Sequence, residues 1–255
     1  MAAGSIACKL ELLANPMLTK QFTAAALALG LSWLSVGAAL GQAAPGAEAP
    51  ANTDAEATRK AADWVAALAL HDAKKEAAVR DVIATHLRAI WAYNNAHPYT
   101  ETPAGFNPAT GKLLSTLDRQ LIAVSAMPPT IHDNLMSGLR QQLTPAQVEA
   151  VLDKYTIGKV AFTLNGYRAI VPDLTPTEEE VILANLKQAR EQAVDFKSMK
   201  QISAVFEIYK DKNETYLNTH GRNWRALFKA YVDAANARKA ADKAKAPAAP
   251  DSRPN

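Results

Sequence analysis

Twice, at Leu143 and at Leu174, the chain writes Leu-Thr-Pro and follows the threonine, three residues on, with Gln147 or Glu178. Few patterns restrict local structure as tightly. Threonine at the N-cap, proline at the first helical position and Gln or Glu at N3 make a capping box, in which cap and N3 satisfy each other's backbone donors. Proline costs nothing there, because its missing N–H falls in the turn whose amides have no intrahelical acceptor. Leu143 and Leu174 stand where a hydrophobic staple needs an apolar residue; Val148 completes the staple in the first copy, and Glu179 does not in the second. Two helices start at these boxes, the second running through about Asp195.

The remaining periodicity is helical too. Ala61, Trp64, Val65, Leu68 and Ala69 recur at three- and four-residue spacing. His71-Asp72 interrupts the stripe, and Asp72 is a good N-cap for a helix from Ala73 to about Asn95 that buries Val79, Val82, Ile83, Leu87, Ile90 and Trp91. Three prolines and two glycines make residues 97–111 a loop. Leu113, Leu114, Leu117, Leu121, Ile122 and Val124 predict a third helix. Pro128-Pro129 breaks or restarts it, and a short segment with Ile131, Leu135 and Leu139 follows. Gly158, Gly166 and Pro172 punctuate the next stretch, so 157–172 is expected to be irregular, with "KVAFTL" a short extended piece. A helix over 198–218 carries Ile202, Val205, Phe206, Tyr209, Tyr216 and Leu217, Gly221 is its C-cap, and the last helix is buried through Trp224, Leu227, Phe228 and Tyr231. The expected fold is all-α: a compact bundle of five to seven helices in one domain over 55–243.

The ends read differently. "MLTKQFTAAALALGLSWLSVGAALGQA", from Met17, has a lysine, an apolar run and small residues in the order of a Sec-type signal peptide, with cleavage near Gly41–Ala43. An uncleaved anchor is the other reading of the run, and the chain would touch a membrane only through it. Met17 is a natural start, which makes 1–16 an over-extended beginning. Residues 44–54 and 244–255 are Ala/Pro-rich, a linker and a tail without apolar periodicity. The one cysteine, Cys8, precedes the leader's apolar run, so the exported chain is expected to have no disulfide, no thiol nucleophile and no Cys-based metal site. Losing Lys9, Lys20 and Glu11 with the leader lowers the formal charge from +3 to +2, too little and too evenly spread for a nucleic-acid partner.

Four stretches carry a resemblance: "LTPAQVEAVLDKYTIGKVAFTLNGY" with "VPDLT", "AREQAVD", "YK" with "YLNTHG", and, earlier, "LALHDAKKEAAVRDVI". In this order and spacing the chain resembles the bacterial domain family DUF3826. The loop at 97–111 departs from the family pattern, and so does Asn213-Glu214-Thr215. The resemblance implies an exported helical protein, of a kind often encoded near genes for breakdown of plant cell-wall polysaccharides. It implies no activity residue by residue. The doubled Leu-Thr-Pro box is also similar to the motif of periplasmic LTxxQ chaperones, helical proteins that cradle unfolded clients.

Candidate chemistry is sparse. Glu191 and Asp195, four apart with Arg190 beside them, offer paired carboxylates for acid/base work on a glycosidic bond; a solvated face with local ion pairs explains them as well. Lys210, Tyr216 and Arg222, with Asn165 and Tyr167 from the punctuated segment, are candidates for a polar ligand pocket, set against tyrosines that are core residues with a wet hydroxyl. Trp91, Tyr93, Tyr99 and Phe106 surround the 97–111 loop, either to stack on a sugar or to anchor the loop. His71, His86, His97, His132 and His220 are scattered without metal-ligand spacing, and no nucleophile elbow, P-loop or dinucleotide fingerprint occurs. No catalytic residue, metal or cofactor is assigned. The expected role is a periplasmic or secreted binding or accessory factor for carbohydrate in polysaccharide utilisation, with a protein-client holdase and a glycan-acting enzyme as alternatives.

Overall fold

The computed structural model describes residues 53–108 and 110–245. The expectations for 1–43, most of 44–54 and most of 244–255 fall outside the described residues. Within them, regular structure is nine α-helices, one 3-10 turn and a single antiparallel bridge. The chain divides into two compact units between Val148 and Glu149.

The first unit contains α1 (Thr53–Ala66), α2 (Ala73–Ala96), the 3-10 turn Tyr99–Glu101, α3 (Thr116–Ser125), α4 (Pro129–Gln142) and the start of α5 (Pro145–Thr156). Asp72 caps α2, accepting from the amides of Lys74 and Lys75 at 3.0 Å each. α1 ends at Ala66, short of Leu70, because Ala69 and His71 take left-handed backbone (φ 46° and 56°) that no α-helix continues. α2 packs against α1 and α4. Ala57, Ala61 and Val65, then Val79, Ile83, Leu87 and Ile90, then Leu135 and Leu139 are buried from these three helices. Gly138 sets their spacing: a Cβ there would lie 2.8 Å from Val82 Cγ2.

The loop of this unit is tied down at its base and bare at its tip. Arg119 donates to the Thr102 carbonyl from Nε (2.9 Å) and Nη2 (2.6 Å), and lies 5.5 Å from the Tyr99 ring centroid. Tyr93 donates to the Ala123 carbonyl, and the Lys60 ammonium sits over the Trp91 ring. Three of the four loop aromatics thus have a neighbour that holds them. Phe106, bridged to Leu113, remains 67% exposed.

The second unit holds the rest of α5 with α6 (Lys159–Ile170), α7 (Pro176–Ala193), α8 (Met199–Thr219) and α9 (Trp224–Lys245). α7 packs on α6 and α8, and α9 contacts the same two helices. Both expected capping boxes form. Thr144 and Gln147 exchange their backbone–side-chain bonds at 3.0 and 3.3 Å, and Thr175 and Glu178 do so at 2.8 and 3.3 Å. Ser115–Asp118 and Ser198–Gln201 are further boxes of the same kind, at the starts of α3 and α8.

Two expectations are corrected. Residues 157–172 are not irregular, and "KVAFTL" is not extended: α6 runs through it. Val160, Leu164 and Tyr167 recur at helical spacing and are buried together, and that stripe outweighs the β-branched content of the segment. Of the two glycines only Gly158 acts as a breaker, in left-handed backbone (φ 64°) next to Ile157 (φ 52°), where the two make the turn from α5, and Pro172 follows the end of α6 at Ile170. Gly166 lies inside the helix. The count of five to seven helices is low for a second reason: Pro128-Pro129 opens a complete 14-residue helix, α4, with proline in its tolerated first turn.

Candidate functional site

Apart from the loop aromatics of the first unit, the side chains singled out for ligand contact lie in the second unit, most of them in three separate clusters. The first is a clasp. Arg222 follows the C-terminus of α8, where Gly221 (φ 90°) turns the chain and the Arg222 amide reaches back to the Leu217 carbonyl at 3.0 Å. Its guanidinium grips Glu178 with Nε (2.8 Å) and Nη2 (2.9 Å), and gives Nη1 to Asp173 (2.7 Å). The Glu178 carboxylate also accepts from the amide and hydroxyl of Thr175. The guanidinium above all holds the Glu178 carboxyl down to about 2, against the ordinary 4.5. Arg222 itself is raised by the same partners.

The second cluster is built on Arg190, whose side chain is 4% exposed. It donates to Asp153 at 2.7 Å and lies 3.7 Å from the Glu149 carboxylate. Lys187 completes it, bonding Glu149 at 2.6 Å and lowering that carboxyl's pKa. Of the suggested carboxylate pair, only Glu191 lies within a helix. α7 ends at Ala193, and Asp195 sits in the following turn, buried, where its charge adds to the burial that raises the Tyr155 phenol.

The third cluster lies along α8 and is the most perturbed electrostatically. Glu207, Asp211 and Glu214 are spaced four and three apart, so one face of the helix carries all three. Lys210 bonds Glu207 at 2.9 and 3.0 Å. Tyr167 of α6 is buried, donates to the Lys210 carbonyl at 3.2 Å and packs its ring 5.2 Å from that of Trp224. Burial first, and then the charge of Asp211, push the Glu214 carboxyl up to about 7. Asp211 is raised by partial burial and by Glu207. Burial and the Glu214 charge likewise raise the Tyr167 phenol, while Lys159 is lowered by burial. Beneath this face Asn185 donates to Asn213 at 2.7 Å, both buried.

Tyr167 meets Lys210 only through its main-chain carbonyl, while the Lys210 ammonium bonds Glu207. Arg222 and Arg190 are committed elsewhere, Asn165 accepts from Arg168 at 3.1 Å, and Tyr216 stacks on His220 with ring centroids 4.1 Å apart. Glu214 and Asp211 were missed. Their spacing with Glu207 was readable, but the burial that perturbs them was not. Chemically, a carboxyl that keeps its proton near neutrality beside ionised acids and a phenol can both donate and accept hydrogen bonds, the pattern that hydroxyl-rich ligands need. Among the described residues no group of three or more His, Cys, Asp and Glu could hold a metal ion, and no helix is long and apolar enough to cross a membrane.

A family profile described as "Protein of unknown function (DUF3826)" matches residues 54–237. No curated protein matches the chain.

Proposed function

The chain belongs to the DUF3826 family, and from that premise we propose that it is an exported, non-catalytic binding or accessory factor in polysaccharide utilisation, with the Tyr167–Lys210–Glu214 face as its ligand contact. One observation supports this reading above the others. The arginines of the motif-bearing segments are bound up in carboxylates that join helices, whereas α8 carries Asp211 and Glu214, both with raised pKa values, beside a Lys210 ammonium bonded to Glu207 of the same helix. The working compartment in this reading is the periplasm or the exterior, reached through the leader.

The test is a thermal-shift screen against pectic, hemicellulosic and other oligosaccharides. A ligand at about a hundred times its dissociation constant adds roughly 2.7 kcal/mol. For a chain of this size that raises Tm by roughly 5–10 °C. The expected result is a shift with one glycan class that Lys210→Ala and Glu214→Gln abolish. No shift with any glycan would sink the reading and turn attention to unfolded protein clients, the holdase alternative.

Glu214 itself favours a second reading, a glycan-acting enzyme. A carboxyl poised near 7 suits a general acid. Release of reducing ends from a bound glycan, lost in Glu214→Gln while binding is kept, would establish turnover.

A further inference from the structure

Tyr167, a contact that the proposed ligand needs, is covered. It is 2% exposed, and the Trp224 ring of α9 lies against its own with centroids 5.2 Å apart. Glu214 is half-buried and faces the same phenol, whose ionisation its charge opposes. α9 packs on α6 and α8, the two helices that carry Tyr167 and Glu214. No ligand reaches a phenol so covered until the cover moves.

α9 is held more lightly than the helices beside it. α7 seals with Ile182, Leu186, Ala189 and Ala193, and α8 with Phe206, Tyr209 and Leu217, all at 2% exposure or less. Of the described side chains of α9 only Trp224 is buried. Leu227, Phe228 and Tyr231, expected in the core, are half-buried, and every residue from Asn236 to Asp242 is exposed. Among the described residues no side chain of α9 bonds another helix: its ion pair, Lys229–Asp233 at 2.6 Å, is internal and exposed. The Trp224 amide, which donates to Asn218 Oδ1 at 3.0 Å, is its tie to α8. Directly before it the chain is locked, with Arg222 on Glu178 and Asp173 and Gly221 at φ 90°. Asn223 thus stands between a fixed residue and a lightly held helix, where a hinge belongs.

We propose that α9 is a displaceable lid: it leaves α6 and α8 as a unit, turning at Asn223, and its departure uncovers Tyr167 and Glu214. The purpose of the lid rests on the reading of that face as the ligand contact; the motion rests on the packing alone. With Trp224 its one buried side chain described, α9 loses far less apolar burial on opening than α7 or α8 would. The clasp keeps the opening local, because Arg222 and the helices before it stay in place. A ligand on the uncovered face holds the lid open. Closure returns Trp224 to Tyr167 and lowers the apparent affinity in proportion to the open fraction.

Hydrogen exchange of the full protein, read by mass spectrometry, tests this together with Ala230→Gly, a change on the exposed side of α9. A detached helix is only partly formed in water, so its amides exchange on opening. Glycine weakens the helix and should raise its opening about fivefold. In the unaltered protein, amides 227–235 of α9 should exchange faster than 182–190 of α7. In Ala230→Gly, exchange at 227–235 and nitration of Tyr167 by tetranitromethane should both quicken about fivefold, while α7 keeps its rate. Equal protection of α9 and α7 overturns the proposal. So does a glycine effect that spreads to α7 or is missing from α9. Tyr167 nitration that stays constant while α9 exchange quickens overturns it as well, since α9 is then not the cover. These readouts use no ligand, so a failed glycan screen would sink the binding reading and leave the lid standing.

Discussion

In the first unit Arg88 meets Asp54 at 2.9 Å with both side chains well exposed; in the second, Arg222 meets Glu178 at 2.8 Å with both largely shielded. The same pair of groups at the same distance does different work. An exposed pair contributes about 0–1 kcal/mol, since water competes for both partners. A partly shielded pair, once broken, leaves a charge that water reaches less easily, so its loss costs more than that of an exposed pair. The first unit closes on apolar volume, as Gly138 against Val82 shows. The second has an apolar core too, with Ile182, Leu186, Phe206, Tyr209 and Leu217 buried, and adds guanidinium–carboxylate bonds between its helices. Substitutions should therefore act through shape in one and also through charge and protonation in the other.

The largest expected effect separates the two pairs directly. Arg222→Ala should lower the urea midpoint clearly, and Arg88→Ala only slightly, the exposed pair contributing less than about 1 kcal/mol. Equal losses would erase the distinction. Acid sharpens it. The Glu178 carboxyl titrates at about 2 in the folded chain against an ordinary 4.5, so its stabilisation is complete above about pH 4.5 and disappears as pH falls toward 2. That acid limb should flatten in Arg222→Ala.

Next comes a test of shape. Gly138→Ala gains helix propensity, yet must push Val82 aside, and should cost about 2 kcal/mol by the same titration. A stabilised variant would show that α2 and α4 yield easily. Glu214 follows, with the opposite sign to Glu178. Its folded pKa of about 7 lies above the ordinary 4.5, so the folded chain binds the proton more tightly. Stability then falls as pH rises from about 4.5 through 7. Glu214→Gln should stabilise by about 1–2 kcal/mol at pH 8, after allowance for partial exposure, and by almost nothing at pH 4. Equal effects at both pH values would mean that its protonation is irrelevant to folding. The smallest effect belongs to Gly166→Ala, which should raise stability by about 0.5–1 kcal/mol because nothing in its own unit needs the glycine. Gly138 and Gly166 thus form a matched pair, one filled space and one open.

What could be read in advance follows the range of the interaction. The boxes at Thr144–Gln147 and Thr175–Glu178 were legible because three residues complete them. That Glu178 also binds an arginine far along the chain was not, since a cap has the same sequence with or without such a partner. Gly158 and Gly166 were read alike as breakers, although only Gly158 takes left-handed backbone; sequence records the residue and not its dihedral angles. Tyr167 and Lys210 were picked for their side-chain chemistry, yet the bond between them uses the Lys210 main-chain carbonyl. Glu214 went unnoticed because spacing reveals a shared face and says nothing of burial.

The clasp also has a mechanical side. Glu178 and Arg222 are 44 residues apart and enclose α7 and α8, while α9 begins only at Trp224, outside the ring they close. Tension drawn through the last helix would peel it away turn by turn and then halt at Arg222, where the bonds to Glu178 and Asp173 must yield together.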